Sequence, residues 1–113
     1  MIKGMGVDIC KISRMKLELA KKILSDNEMT VFDSLKLVKR KREFLAGRFA
    51  AKEAIYKAIH EVKKDVTMRQ IIVLNDEWGK PLVLKPILNG YRILITISHD
   101  SEYAVAQALL EEE

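Results

Sequence analysis

The sequence predicts a single α+β domain, residues 1–113, with an N-terminal strand, then helices including one long helix, then antiparallel strands. Three observations predict it. Residues 2–9 alternate as a strand does, an alanine-rich stretch over 40–60 has a helical composition, and β-rich segments follow residue 70.

The first half is predicted to contain one strand and three helices. In the strand, Met5, Val7 and Ile9 face one way, and Gly4, Gly6, Asp8 and Cys10 face the other. Apolar residues at helical spacing predict a helix over 12–24. Ser25 and Glu28 have the spacing of a capping box, which predicts a second helix from there to about Leu37. The long helix over 40–60 follows.

The second half is predicted to be all strand. Ile71–Leu74 and Leu82–Leu84 flank a polar loop that contains Gly79-Lys80-Pro81, which indicates a hairpin. Residues 92–98 and 103–110 are apolar and joined by a short turn, so they are predicted to be two further antiparallel strands.

Composition excludes several classes of protein. The lone Cys10 allows no intrachain disulfide, and no apolar run approaches the ~20 residues of a membrane span. The N-terminus lacks the apolar segment of a signal peptide, so we expect a cytoplasmic protein. A domain this small cannot easily enclose a deep pocket, which favours a site shared between subunits.

Asp8 and Glu53 are candidate functional carboxylates. Aspartate is disfavoured within strands, and Gly4 and Gly6 offer no side chain to cover Asp8, so it can face a cavity that another group fills. The alternative is an aspartate that caps the following helix. Glu53 and Lys57 are neighbours one turn apart, but such pairs are very common, and taken alone these two are read as an exposed ion pair worth ~0.3–0.5 kcal/mol.

Basic residues are concentrated in one part of the chain, at Lys39-Arg40-Lys41-Arg42. At the start of the long helix they would oppose the positive end of its dipole, so helix stability does not explain them. They fit a phosphate or acidic-partner site, or else a solvated surface. His99 is a satisfied turn residue or a ligand contact, and no motif supports Cys10 with His99 as a nucleophile and base. Phosphate-loop and zinc motifs are absent.

Four stretches together resemble one family. They read GVDICKISR at 6–14, EFLAGRFAAKEAIYKA at 43–58, GKP at 79–81 and ISHDSEYAVAQAL at 97–109. In order and wording the chain resembles the holo-acyl-carrier-protein synthases of the small phosphopantetheinyl transferase superfamily. The second stretch is highly specific for that family. The resemblance implies the 4'-phosphopantetheinyl transferase fold.

The resemblance also implies a reaction. A carrier-protein serine attacks the β-phosphorus of coenzyme A, phosphopantetheine is transferred, and 3',5'-ADP leaves. In such enzymes the aspartate of GVDI and the glutamate of AAKEA, here Asp8 and Glu53, hold Mg²⁺, the expected cofactor. One or two carboxylates with phosphates and waters suit magnesium. Lys57 would add a cation at the phosphates, and Glu53 is the candidate for activating the serine through a water.

Further site residues follow from the resemblance. Those expected at coenzyme A are Lys39, Arg40, Arg48, Lys57, Gly79, Lys80, Pro81 and His99. Those expected to dock the acidic acyl carrier protein are Arg14, Lys21 and Lys22. Family members of this length assemble as trimers with sites between subunits, so a homotrimer is expected. One departure is that residues 59–68, IHEVKKDVTM, lack the glycines common after this helix, which puts that loop's geometry and its backbone contacts to ligand in question.

A nucleic-acid-binding module that uses residues 36–48 is the main rival. The basic run has no interleaved aromatic residues and no recognised nucleic-acid motif, so neither a nucleic acid nor a membrane is expected as a partner. A trimer that has lost its activity is the third possibility, which the presence of Asp8, Glu53 and Lys57 disfavours.

Overall fold

The computed structural model describes residues 1–113 and has the predicted α+β architecture. Strands β1 (Ile2–Lys11), β5 (Tyr103–Glu112) and β4 (Tyr91–His99) form an antiparallel sheet in the order β1-β5-β4. Strands β2 (Ile72–Asn75) and β3 (Pro81–Lys85) form a separate hairpin. The helices are α1 (Ala20–Ile23), α2 (Asp26–Ser34) and α3 (Val38–Ile59).

Helix α3 covers one face of the three-stranded sheet and forms the centre of the core. Alternate residues of β5 are buried beneath it, among them Ala104, Ala106 and Ala108. Alanines also predominate among the buried residues of α3. Small residues on both elements let the helix lie close to the sheet.

The opposite face of the sheet is not covered within the chain. Side chains that alternate with the buried ones are exposed on all three strands, and they lie opposite one another in register. We call this surface the open sheet face; it comprises Met5, Val7, Ile9, Leu94 and Val105. Gln107 and Thr96 lie between these apolar side chains in register, and exposed apolar residues grouped in this way favour an interaction surface.

The helix predicted over 12–24 is wrong. The chain makes a 3-10 turn at Ile12–Arg14, becomes extended, and makes a second turn at Leu17–Leu19 before the short α1. Ile12 N donates to Glu102 O in the β4–β5 turn, which ties the start of the segment to the sheet. The apolar residues are nevertheless buried, apart from the partly buried Leu17 and Leu19, so their spacing predicted burial but not a continuous helix.

Helices α2 and α3 agree with prediction more closely. Ser25 Oγ accepts a hydrogen bond from Glu28 N, and Glu28 Oε1 accepts one from Ser25 N, so the capping box is confirmed. Helix α2 ends at Ser34, short of the predicted Leu37, because Leu35 is extended. Helix α3 runs for 22 residues, with the basic run in its first turns. None of the helices combines the length and apolar content that crossing a membrane requires.

The glycine-free segment after α3 closes without any left-handed residue. Val62 N and Lys63 N both donate to Ile59 O, and a 3-10 turn follows at Met68–Gln70. Positive φ angles occur only at Gly79 and Gly90. The missing glycines therefore impose no backbone strain on this loop.

Candidate active site

Strand β1 and helix α3 are in direct backbone contact at Gly4 and Gly6. A Cβ at Gly6 would lie 2.0 Å from Ala54 O, and one at Gly4 would lie 1.9 Å from Ala58 O. The sequence suggested that these glycines leave a cavity beside Asp8, and this expectation is wrong, because helix α3 fills the space. The glycines let α3 approach so closely that the side chains of Asp8 on the strand and Lys57 on the helix meet.

Asp8 and Lys57 are in contact at this junction. Lys57 Nζ donates to Asp8 Oδ1 (3.3 Å) and to Val7 O (2.9 Å). The Asp8 side chain is 18% exposed and that of Lys57 is 50% exposed, so the pair lies at the rim of the β1–α3 contact. Asp8 lies within β1 and caps no helix, which removes the alternative reading of this residue.

Glu53 lies one turn before Lys57 on α3, with about 5–6 Å expected between the two Cβ atoms. Lys57 pairs with Asp8 instead of Glu53, so the alternative of an exposed Glu53–Lys57 ion pair does not hold. Glu53 is half-buried and has no hydrogen-bond or ion-pair partner in the chain. It lines a cavity of about 260 Å³, whose other lining residues are Lys52, Tyr56, Val66, Met68 and Ile71.

A fully buried ion pair stands next to Glu53. The side chains of Lys52 and Glu28 are 0% exposed. Lys52 Nζ donates to Glu28 Oε1, Ile23 O and Met68 O, which uses all three of its N–H donors. Burial lowers the pKa of Lys52, and Glu28 opposes that shift. The pair fixes α3 to α2 and to the wall of the cavity beside Glu53. The only sequence signal was a lysine within an alanine-rich, buried helix face.

A second group of predicted residues lines a separate cavity of about 480 Å³ by the first half of α3. Five of the expected coenzyme contacts form its wall: Arg40, Arg48, Gly79, Pro81 and His99. We call this space the basic cavity. Of the remaining expected contacts, Lys39 is exposed on the first turn of α3, and Lys80 lines a different cavity, between β3 and β4.

Arg48 is the most constrained cation of the basic cavity. Its Nε donates to Val73 O and its Nη2 to Asn75 Oδ1, both at 2.9 Å, and the guanidinium lies 4.5 Å from the centre of the Phe44 ring. Burial lowers the pKa of Arg48, with Glu28 acting in the opposite direction. Arg48 thus anchors β2 to α3 and is left with its Nη1 group for an anion.

The rest of the basic run does not form one uniform patch. Lys41 Nζ donates to Phe32 O and lies 4.5 Å from the centre of that ring, so this residue anchors α2. Arg42 Nε is buried without a hydrogen-bond partner. Arg40 lies 4.0 Å from Glu43 and stays exposed. Lys39 and Arg40 are therefore the cations of the run that are open to a ligand.

The β2–β3 loop is held by the Asp76 side chain. Its Oδ1 accepts hydrogen bonds from Trp78 N at 2.8 Å and from Lys80 N at 2.9 Å. Gly79 has φ +83, a backbone conformation that favours glycine. The Gly79-Lys80-Pro81 loop is thus a rigid turn at the edge of the basic cavity.

The two clusters lie at opposite edges of the sheet. Asp8 is on edge strand β1 and His99 on edge strand β4, with β5 between them. In register, Cys10 and His99 flank Ala104 from either side, about 10 Å apart at two strand spacings. Burial, followed by the charge of Asp8, raises the pKa of the Cys10 thiol. A Cys10–His99 nucleophile and base is therefore excluded.

The residues expected to dock the carrier protein are all exposed. Arg14 lies in the turn after β1, and Lys21 and Lys22 lie on α1. All three belong to the segment that follows the Asp8 strand.

Comparisons with known proteins agree on one family. The family model for the 4'-phosphopantetheinyl transferase superfamily matches residues 4–108. The holo-[acyl-carrier-protein] synthase of Staphylococcus saprophyticus is 42% identical over 118 residues, covering 98% of this chain and 99% of the relative. That of Geobacillus sp. strain WCH70 is 43% identical over 120 residues, covering 98% of each.

A solved structure gives the same result. The crystal structure of a holo-(acyl-carrier-protein) synthase from Bacillus anthracis in complex with CoA (3',5'-ADP) matches with a TM-score of 0.89 and 41% identity. The match covers 100% of this chain and 99% of that chain. The predicted fold class is confirmed by this similarity.

Proposed function

This chain belongs to the 4'-phosphopantetheinyl transferase superfamily and is an enzyme of that family, and we propose that it transfers phosphopantetheine from coenzyme A to a serine of an apo acyl carrier protein. The single observation that carries the proposal is the β1–α3 junction, where Asp8 contacts Lys57 one turn from Glu53. The coenzyme A bound by the Bacillus anthracis relative supports the choice of donor.

Asp8 and Glu53 are the residues proposed to hold Mg²⁺. The donor chemistry fits, because Asp8 and Glu53 are carboxylates on the two elements that meet at the β1–α3 contact, and Glu53 has no partner of its own in the chain. No cluster of three or more His, Cys, Asp or Glu side chains could hold a metal alone, so waters and phosphates would complete the shell, as magnesium prefers. Bound magnesium would neutralise charge that develops on the pyrophosphate oxygens.

The protein's own groups then have defined roles. The serine oxygen forms a bond to the β-phosphorus, the bond from that phosphorus to the bridging oxygen breaks, and 3',5'-ADP departs with the bonding electrons. Glu53 is proposed to accept the serine proton through a water. Lys57 Nζ has a donor to spare beyond Val7 O and Asp8, and its exposed head can bind a departing phosphate oxygen.

We propose that the complete site forms between subunits of a homotrimer. The Asp8 cluster and the basic cavity lie at opposite edges of one sheet, so a head-to-tail neighbour can bring its basic cavity to the Asp8 edge. Such heterologous contacts close into rings. The open sheet face supplies apolar surface for the contact. The number of subunits, three, is what the family resemblance implies.

The carrier protein is proposed to dock on Arg14, Lys21 and Lys22. Acyl carrier proteins are acidic, and an exposed basic surface beside the Asp8 strand would steer them to the site at a rate that falls as salt rises.

The test is a mass-shift assay on purified protein with apo carrier protein and coenzyme A. Addition of the phosphopantetheine arm should require Mg²⁺, should release 3',5'-ADP, and should stop on chelation. Asp8→Ala and Glu53→Ala should each abolish transfer while thermal unfolding stays cooperative, and Lys57→Ala should slow it less completely. Labelling at the wild-type rate by either carboxylate variant would refute the metal assignment.

A further inference from the structure

The exposed indole of Trp78 is explained neither by the fold nor by the chemistry proposed above. Trp78 is the only tryptophan in the chain and is 85% exposed. Its backbone is nevertheless fixed, because its N–H donates to Asp76 Oδ1 and the next residue, Gly79, adopts φ +83. A large apolar side chain that is exposed on a rigid turn indicates a site that binds a partner or a ligand.

Trp78 directly precedes a residue that lines the basic cavity. Gly79, its immediate neighbour, and Pro81 line that cavity, whose wall also contains the guanidinium groups of Arg40 and Arg48. Cations beside a flat aromatic ring match the two parts of a nucleotide, since guanidinium groups bind phosphate and an indole stacks on a base.

We propose that Trp78 stacks on the adenine ring of coenzyme A while the phosphates of its 3'-phospho-ADP portion occupy the basic cavity. The inference rests on the proposed function, which supplies the nucleotide, and adds a residue that determines affinity for it. Because the stacking partner is the base, Trp78 discriminates between ligands with and without adenine and leaves the phosphopantetheine end untouched.

The charges around Trp78 disfavour the acidic carrier protein and are compatible with the uncharged adenine ring, whose phosphates would lie at the arginines of the basic cavity. Asp76 and Glu77 precede it directly, and the Asp76 carboxylate is tied to the loop backbone. A large acidic surface pressed against this loop would meet both carboxylates at once, which is unfavourable. Trp78 also lies outside the open sheet face, which is proposed to supply the apolar part of the subunit contact.

The position of Trp78 provides a test that needs no turnover. Its fluorescence is the only tryptophan signal, so 3',5'-ADP added to the wild-type protein should change it saturably, whereas inorganic pyrophosphate should change it little. Calorimetric titration should show that Trp78→Ala binds 3',5'-ADP about 5- to 150-fold more weakly, the range expected for loss of one base–aromatic stack. Trp78→Phe should retain most of the affinity, and Glu77→Ala, the control in the same loop, should lose none.

Three outcomes would overturn the proposal. One is wild-type affinity of Trp78→Ala for 3',5'-ADP, and another is an equal loss with Phe and with Ala. The third is a loss of affinity that is accompanied by a change of assembly mass in light scattering, which would assign Trp78 to a subunit contact. In all three, transfer by the wild-type enzyme would survive. A wild-type protein that neither binds coenzyme A nor labels a carrier would instead refute the proposed function itself.

Discussion

Replacing Gly6 by alanine should slow transfer strongly without substituting any proposed ligand-binding side chain. The new methyl group would lie 2.0 Å from Ala54 O, and ordinary contact begins at 3.4 Å, so α3 must withdraw from β1 by about 1.4 Å. The obstacle is backbone and cannot rotate aside. The displacement falls between Asp8 on the strand and Glu53 and Lys57 on the helix. Because about 1 Å of misplacement can cost about 100-fold in rate, we expect kcat to fall by at least about that factor.

The matched control is Gly47→Ala, on the same helix and also facing the sheet. Its methyl group would lie 3.3 Å from Ile97 Cγ2, the end of a side chain that can shift, and alanine favours helix over glycine by about 1 kcal/mol. Gly47 also lines the basic cavity, so Gly47→Ala is the control for stability alone, and it should keep its free energy of unfolding. Both variants are measured by the mass-shift assay and by urea unfolding, where overpacking in Gly6→Ala should cost about 1–3 kcal/mol. A folded Gly6→Ala enzyme with wild-type turnover would refute the claim that this contact sets the site geometry.

Three further predictions concern stability and docking. Lys52→Met leaves the buried Glu28 charge without its partner and should lower the free energy of unfolding by about 3–5 kcal/mol in urea unfolding. Adding Glu28→Gln removes that charge and keeps an amide oxygen as acceptor, so the double variant should recover part of the loss; no recovery would contradict the pairing. Backbone N–H groups of the β4–β5 turn lower the pKa of Asp100. The ionised carboxylate therefore stabilises the fold above its unfolded pKa, and this stabilisation is lost as pH falls through its folded pKa. Thermal unfolding from about pH 5 to pH 2 should show a smaller loss of stability for Asp100→Asn than for wild type, and parallel curves would count against this. Arg14→Glu should raise KM for carrier protein more than KM for coenzyme A, and an equal rise in both would remove Arg14 from the docking surface.

The parts of the fold that could be predicted from sequence are those where a local signal is sufficient. The capping box at Ser25 and the turn at Gly79 are set by neighbouring residues, and both stand as expected. Over residues 12–24 the same apolar spacing serves a helix or a pair of 3-10 turns. The contact that decides between them, Ile12 N to Glu102 O, joins distant parts of the chain and leaves no trace in the local pattern.

The candidate site shows the same division. The sequence motifs predicted Asp8, Lys57 and five residues of the basic cavity as site residues, because binding metal and phosphate selects those residue types at those spacings. The Lys52–Glu28 pair could not be predicted from the sequence, because the capping box already accounts for Glu28. Its carboxylate serves the cap, the ion pair and Val73 N together, and only the packing of α2 against α3 creates that overlap.

Mixing two inactive variants would test whether the site lies between subunits. Asp8→Ala damages the β1 edge, and Arg40→Glu damages the basic cavity by the β4 edge. In a ring whose sites take one edge from each of two neighbours, co-refolding equal amounts should restore about a quarter of the sites, since one pairing in four joins two intact edges. If each chain built its whole site alone, no mixture could be active. If the mixture stays inactive after co-refolding while wild-type protein treated identically regains activity, the shared site is refuted. The transferase assignment would not be affected by that result.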